Sequence, residues 1–391
     1  MWRHIASNAI TFFIVGLFLL GGLVLWADRS YNAQGPLEQA ICVQVPRGAT
    51  MRRMADDLAE QGAITSAAIF NLGSDYAGQS SDLKAGNFLV PEGASMAQIV
   101  DVLTRGGQST CGTEIVYRVG VARTAVQVRE LDPASGRFVE RLDFILAEDE
   151  EVPVDYLEVR EEPDTRYRVA LAEGVTSWQV MTALNSIDAL TEYTDQRPEE
   201  GVLAPDSYEF VPGDTVTEIL DEMKRRQSLI LEEEWLNRAD NLPIDTPEEA
   251  MILASIIEKE TAVPDERGLV SSVFINRLNR GMPLQTDPTV IYGVTGGEGV
   301  LGRGLRQSEL RRETPYNTYV INGLPPTPIA NPGRAAIRAA LNPDQSDFIF
   351  FVADGSGGHV FAETLAEHNR NVALWREIEA QQRRDAADGN E

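Results

Sequence analysis

"DTPEEAMILASIIEKETAV", residues 245–263, decides how the C-terminal half of this chain is read. Thr246 stands where a helix N-cap belongs, Pro247 at the first helical position and Glu249 three residues after the cap, which together form a capping-box signature. The stretch from Ala250 to Ile257 carries no charge. The spacing therefore predicts a helix that is apolar nearly all round, the central buried helix of its domain. Its end is less ordinary, because Glu258 and Glu260 follow directly on Ile256 and Ile257. A buried, ionised carboxylate without a partner is costly, so these acids are paired, neutralised or used.

Residues two apart on a helix point about 200° away from each other, so the two glutamates cannot face one pocket. Glu258 shares its face with Met251, Ala254 and Ser255, where small side chains leave room for an approaching molecule. Glu260 stands over Leu253, Ile256 and Ile257, which suggests packing with an ion-pair cap to Arg267 or another base. This face argument favours Glu258 as the acid of a site. A carboxylic acid in a partly apolar cleft keeps its proton near neutral pH and can donate it to a leaving oxygen, as glycosidic cleavage requires. The competing reading is a structural glutamate paired with Arg or Lys. The segments that follow, "FINRLNRGMPLQTDPTVIYG" and "TPYNTYVINGLPPTPIANPG", are dense in side chains that hydrogen-bond sugars or stack on them. Asn276, Gln285, Thr286, Asp287, Tyr292, Tyr316, Asn317 and Tyr319 are the candidate substrate-binding residues, on loops where binding groups commonly sit.

The rest of the chain bounds the setting. Its 391 residues allow two or three domains. A formal net charge of −26 argues against nucleic acid as the main partner, since phosphate binding needs a surplus of Lys and Arg. From Ala9 to Ala27, "AITFFIVGLFLLGGLVLWA" runs 19 residues without a charge, the length of a membrane-crossing helix. A cleaved signal peptide is the alternative, but Trp26, Asp28 and Arg29 occupy the place of a small-residue cleavage site. Arg3 and His4 ahead of the span favour the N-terminus inside and the remainder outside the cytoplasmic membrane. Cys42 and Cys111 fall in the exported part, and an even count there permits a disulfide. Three scattered histidines, His4, His359 and His368, suggest no metal site, and no cofactor is expected.

Between the span and the buried helix, one pattern recurs: VPRGAT, VPEGAS, LAEGVT and VPGDTV each read as strand, glycine, then a serine or threonine and a helix. Thr50, Ser95 and either Thr176 or Ser177 are the expected N-caps, with Gly62 and Gly106 as helix stops. The recurrence suggests one folding unit used repeatedly. Residues 113–145 alternate like a β-hairpin about the turn "DPASG". Glu148 to Glu151 read as a solvated loop. After Pro343 the sequence predicts a strand in "DFIFFVAD", a turn, a short strand "HVFA" and a last helix.

"ASIIEKETAVPDER", "VFINRL", "LQTDPTVIYG", "TPYNTY", "GLPPTPIANPG" and "FFVADGSGGHVFAETLAEHN" together resemble the endolytic murein transglycosylase family, also called YceG-like. The likeness is dense from Met251 to Asn369 and thinner over 40–108 and 166–240, which resemble that family's LysM-like and connecting regions. Together with the readings above it gives an α+β chain with a tail (1–8), the anchor (9–27), a linker (28–39), a LysM-like module (40–110), a second LysM-like or connecting region (166–240), a mixed α/β catalytic domain around the buried helix (241–380) and a disordered tail (381–391); the β-rich stretch (111–165) departs from the family's pattern and reads as an insertion. It also implies cleavage of the β-1,4 bond between N-acetylmuramic acid and N-acetylglucosamine in peptidoglycan strands, outside the cytoplasmic membrane, leaving a 1,6-anhydro end. The resemblance assigns the acid to the first glutamate of "EKET", Glu258. It suggests peptidoglycan synthases in the same membrane as partners. Two rival readings are a hydrolytic muramidase with Asp287 as second acid, and an inactive, membrane-tethered glycan-binding scaffold.

Overall fold

A computed structural model describes residues 2–46, 48–105, 110–146, 152–162 and 165–388. The chain forms two compact units, one of Met1–Ile115, Gln127–Asp143 and Glu151–Arg166, the other of Val116–Val126, Phe144–Glu150 and Tyr167–Glu391. The acidic run 148–151, Gly106 and the last residues 389–391 lie outside the described residues.

The first unit opens with α1 (Trp2–Asn32). Its segment Phe13–Asn32 is long and apolar enough to cross a membrane, and Phe13, Phe18, Leu19 and Leu25 are exposed along it. The helix runs on through Asp28–Asn32, where a linker is expected, with the Asn32 amide donating to the Asp28 carbonyl at 2.9 Å. Strand β1 (Ile41–Val45) pairs antiparallel with β2 (Gly86–Val90), Ile41 opposite Val90 and Val45 opposite Gly86. Around this ribbon lie α2 (Met51–Glu60), α3 (Ala67–Tyr76) and α4 (Met96–Thr104). Alternation puts Val43, Val45, Phe88 and Val90 on one face of the ribbon. That face packs with Met54, Leu58, Phe70, Ile99 and Leu103 in one core. Cys42 and Cys111 are joined in a disulfide, Cα atoms 5.7 Å apart.

Strands β3 (Thr113–Val119), β4 (Thr124–Asp132) and β5 (Arg137–Ile145) follow, then α5 (Val154–Glu161), β6 (Arg166–Leu171), α6 (Ser177–Asn185), β7 (Ser207–Phe210) and α7 (Val216–Leu236). The five strands form one sheet of order β5-β4-β3-β6-β7. The hairpin-rich stretch expected as an insertion thus continues the sheet, because β3 neighbours β6. The four recurring strand-to-helix steps, β1 to α2, β2 to α4, β6 to α6 and β7 to α7, close alike. Gly48, Gly93, Gly174 and Gly213 each adopt positive φ, and two residues later Thr50, Ser95, Thr176 and Thr215 cap a helix. Glycine alone takes that turn without strain, and each cap is worth about 1 kcal/mol.

In the second unit, α8 (Pro247–Glu260) is the helix of the opening stretch. Thr246 accepts from the Glu249 N–H at 3.2 Å, but the Glu249 carboxylate accepts from Asp245 rather than from the cap itself. The expected reciprocal box is therefore shifted by one residue. Every residue from Ala250 to Ile257 is buried. The core around them draws on α9 (Arg267–Asn279), α12 (Arg334–Leu341) and the loops between. Truncating Leu253 to Ala in such surroundings costs roughly 2–5 kcal/mol. Between α9 and α12 come α10 (Asp287–Thr295) and the single turn α11 (Gln307–Leu310). A hairpin of β8 (Phe350–Ala353) and β9 (His359–Ala362) precedes α13 (Leu365–Asp388). This helix occupies 381–388, where a disordered tail is expected.

Candidate active site

The end of α8 turns its two glutamates toward different surroundings, as helical geometry demands. Glu258 faces the starts of two other helices. Its Oε2 accepts the N–H of Gly333, the N-cap of α12, at 2.9 Å, and Arg267 Nη2 lies 3.7 Å from Oε1. Arg267 reaches the Glu173 carboxylate at 3.4 Å, and Gly174 backs onto the stems of Glu258 and Lys259. The Glu258 side chain is only 5% exposed. Burial pushes its carboxyl up, while the Gly333 N–H pulls the other way. A carboxylate at a helix N-terminus is well placed to hold that helix.

Glu260 faces a cavity of about 260 Å³ lined by Arg277, Leu284 to Asp287, Tyr319, Phe351 to Ala353 and His359. The Thr286 hydroxyl donates to Glu260 Oε1. Burial pushes the Glu260 carboxyl up; the Thr286 hydroxyl, His359 and Arg277 work against that, and the Asp287 charge adds to it. The result is an acid that retains its proton to higher pH in a cleft with polar walls, the state a general acid needs. The expected ion pair between Glu260 and Arg267 is absent among the described residues, since Arg267 turns to Glu258 instead.

The wall is built by local chemistry. Arg277, nearly buried, donates to the carbonyls of Leu284 at 2.7 Å and Ile349 at 2.7 Å, tying the α9–α10 loop to the β8 hairpin. Gln285 sits at φ 55°, a left-handed conformation unusual for a non-glycine residue and of the kind that collects at functional sites. Its N–H donates to the Thr318 carbonyl at 3.0 Å. The N–H of Thr286 donates to the Thr318 hydroxyl at 3.1 Å, and Thr289 donates to the Thr286 carbonyl at 2.8 Å. These bonds fix the Thr286 backbone, so that its hydroxyl is aimed at Glu260. Tyr319 donates its hydroxyl to Asp287 Oδ1 at 2.7 Å; burial pushes that phenol well up, and the Asp287 bond adds to the effect.

Of the expected binding residues, Gln285, Thr286, Asp287 and Tyr319 line this cavity, and four do not. Asn276 spends its amide on the Ser346 and Phe348 carbonyls, at 2.8 and 2.9 Å. Asn317, fully buried, donates to the carbonyls of Glu309, Leu310 and Arg312, organising a turn. Tyr292 and Tyr316 pack on each other with ring centres 5.0 Å apart, and the Tyr316 hydroxyl meets that of Thr327 at 2.8 Å. Burial pushes the Tyr292 phenol up to about 12. Four of the candidate binding residues thus gather around Glu260, while Glu258 bonds the N–H that opens α12. Glu260, Arg277 and His359 are the residues that sequence reasoning did not assign.

A carboxyl that burial pushes up and Thr286 bonds thus lines a polar-walled cavity on an α+β scaffold. The model of the YceG-like family matches residues 43–374, so the chain belongs to that family. It is 28% identical over 356 residues to the endolytic murein transglycosylase of Bacillus subtilis (strain 168), covering 90% of this chain and 89% of that protein. It is 26% identical over 384 residues to the endolytic murein transglycosylase of Streptococcus pneumoniae serotype 2 (strain D39 / NCTC 7466), covering 95% of this chain and 65% of that longer protein. The crystal structure of a yceG-like protein from Listeria monocytogenes is similar at a TM-score of 0.44 and 24% identity, over 85% of this chain and 98% of that one.

Proposed function

We propose that this protein is a membrane-anchored endolytic lytic transglycosylase. It cleaves the β-1,4 bond between N-acetylmuramic acid and N-acetylglucosamine within peptidoglycan strands and leaves a 1,6-anhydro end. Its substrate is a glycan strand outside the cytoplasmic membrane, and α1 is its anchor. The observation that carries this reading is Glu260, a carboxyl held toward its protonated form at the edge of a cavity lined by Gln285, Thr286, Asp287 and Tyr319. The family membership and the named relatives support the same chemistry.

In the reaction Glu260 gives its proton to the departing glycosidic oxygen, and the carboxylate left behind then takes the proton of the muramic 6-hydroxyl as that oxygen bonds C1 on the face the leaving oxygen vacated. An intramolecular nucleophile is worth a high effective concentration and removes the need for a second carboxylate to activate water. Thr286 steadies the carboxylate that remains, by the hydroxyl hydrogen bond it already donates. Arg277 adds a positive charge to the same wall.

The test is digestion of purified peptidoglycan by the full-length chain in detergent, with product masses read by mass spectrometry. Products one water lighter than hydrolysis gives are expected, and their loss in Glu260→Gln. Full-mass reducing ends would make the protein a hydrolase and move attention to Asp287, which lines the same cavity.

A further inference from the structure

Two side chains that line the Glu260 cavity each have one polar atom uncommitted. Gln285 and Asp287 are exposed there, on either side of the buried Thr286. Arg277 Nη1 donates a long hydrogen bond, 3.4 Å, to Gln285 Oε1. A guanidinium only donates, which sets the way round of the amide: Oε1 faces Arg277, and the Nε2 hydrogens meet no acceptor among the described residues. The Asp287 carboxylate is divided in the same way. Tyr319 donates to Oδ1 at 2.7 Å, and among the described residues nothing donates to Oδ2. The wall therefore offers the cavity one donor, Gln285 Nε2, and one acceptor, Asp287 Oδ2.

The backbone at Gln285 points to a use for its side chain. At φ 55° it holds a conformation that glycine takes freely and that strains a residue with a Cβ. A glutamine kept where glycine would be unstrained is accounted for by what its amide does. A trans secondary amide carries its C=O on one edge and its N–H on the opposite edge, so it fits between a donor and an acceptor set apart, as these two are by Thr286. A sugar hydroxyl both donates and accepts and would be served by either atom alone. Peptidoglycan strands carry secondary amides in two places: the 2-acetamido group of each sugar, and the amide that joins the lactyl group to a stem peptide.

We propose that Gln285 and Asp287 form an amide clamp, which reads a secondary amide of the strand beside the bond to be cleaved and so sets the enzyme's specificity. This rests on the transglycosylase reading above. Gln285 Nε2 donates to the amide oxygen, and Asp287 Oδ2 accepts from the amide N–H. Arg277 and Tyr319 hold the two side chains in place, and Glu260 is left to the chemistry. A strand without that amide leaves the donor and the acceptor unpaired as it enters, and a site built to bond a group rejects analogues that lack it.

The test uses the full-length chain in detergent on three forms of one strand preparation: intact, stripped of stem peptides by an amidase, and N-deacetylated, with re-acetylated strands as the control for the chemical treatment. Wild type is compared with Gln285→Gly, which takes the left-handed turn freely, and Asp287→Asn, which keeps the shape of the side chain. Wild type is expected to lose at least about 30-fold in kcat/KM on strands lacking the amide that is read. In both variants kcat/KM on intact strands is expected to fall about tenfold, and the preference for amide-bearing strands to shrink to about threefold or less. A preference against N-deacetylated strands, abolished by re-acetylation, assigns the acetamido group; a preference against stripped strands assigns the stem-peptide amide. Either supports the clamp. The wild-type preference kept in either folded variant, with rate lost equally on every strand, would overturn it, as would wild type indifferent to both amides. Anhydro products from wild type in those cases would leave the transglycosylase reading standing, whereas wild type that cleaves no strand would overturn both. Should one variant fail to fold, the other carries the same comparison.

Discussion

Glu260→Gln and Glu258→Ala are predicted to part activity from stability in opposite directions. Removing a general acid costs about 100- to 10,000-fold in rate, or roughly 3–5 kcal/mol of transition-state stabilisation. Glu260→Gln keeps the shape of the side chain and an oxygen for the Thr286 hydroxyl. Its effect on stability follows from proton linkage. The folded carboxyl is raised above its unfolded value by burial. Below the unfolded pKa both states hold the proton and nothing is lost. As pH rises past that point the unfolded state ionises first, and the native state loses stability until pH passes the folded pKa. An amide does not titrate, so at neutral pH the Glu260→Gln protein should melt at or above the wild-type temperature while being nearly inactive. Glu258→Ala instead leaves the Gly333 N–H at the start of α12 without its acceptor, a loss of about 1–3 kcal/mol. It should melt lower yet keep activity within about tenfold of wild type once assayed below its transition. Calorimetry beside the strand-cleavage assay reads both quantities. An active Glu260→Gln protein, together with a folded but inactive Glu258→Ala protein, would return the acid to Glu258 and refute the assignment.

Thr286→Val removes the hydroxyl that lowers the Glu260 carboxyl, so the acid should hold its proton to still higher pH. The limb of the kcat/KM profile on which activity falls with rising pH should move upward, and a limb that stays or moves down would show that Thr286 does not govern this proton. Replacing Cys42 and Cys111 together by Ser opens a loop with a sequence separation of 69. Chain-entropy arguments give an upper loss of about 4 kcal/mol. The melting transition should fall in the double variant, and reductant should lower it in wild type but not in the variant; unchanged melting would mean the crosslink constrains little.

The parts legible in the sequence are those set by neighbours in the chain. Four strand-to-helix steps were readable because a positive-φ glycine and a hydroxyl two residues later are one local device, and the same is true of Thr246 capping α8. Polar density marked residues 285–287 and Tyr319 as binding candidates for a similarly local reason, and they line one cavity. Asn276, Asn317, Tyr292 and Tyr316 carry the same residue types but spend their polar atoms on distant backbone carbonyls and on other side chains, a matter of tertiary packing that composition cannot register. That the hairpin strands continue a five-stranded sheet was not legible, because pairing of β3 with β6 depends on strands far apart in sequence. His359 gave no signal as a lone histidine. Its place in the cavity wall depends on Glu266, 93 residues away, which holds its ring.

The choice between Glu258 and Glu260 shows where face arguments need a further step. The sequence placed the two acids on opposite sides of α8, and they do diverge. Small residues beside Glu258 were read as room for substrate. Room on a buried helix is taken by whatever backbone can approach it, and here that is protein. Ser255 accepts the Ile329 N–H at 3.0 Å, and the chain then runs on to Gly333, whose N–H bonds Glu258. Small side chains on a helix therefore mark close packing as readily as access. Bulky residues beneath Glu260 do the opposite. They fill the core below the helix and leave its last turn standing at the rim, where the α9–α10 loop and the β8–β9 turn close a cavity around the carboxyl. An acid that must keep its proton needs apolar atoms on one side and polar partners on the other. Glu260 has both because it sits at the boundary between the core and the cleft.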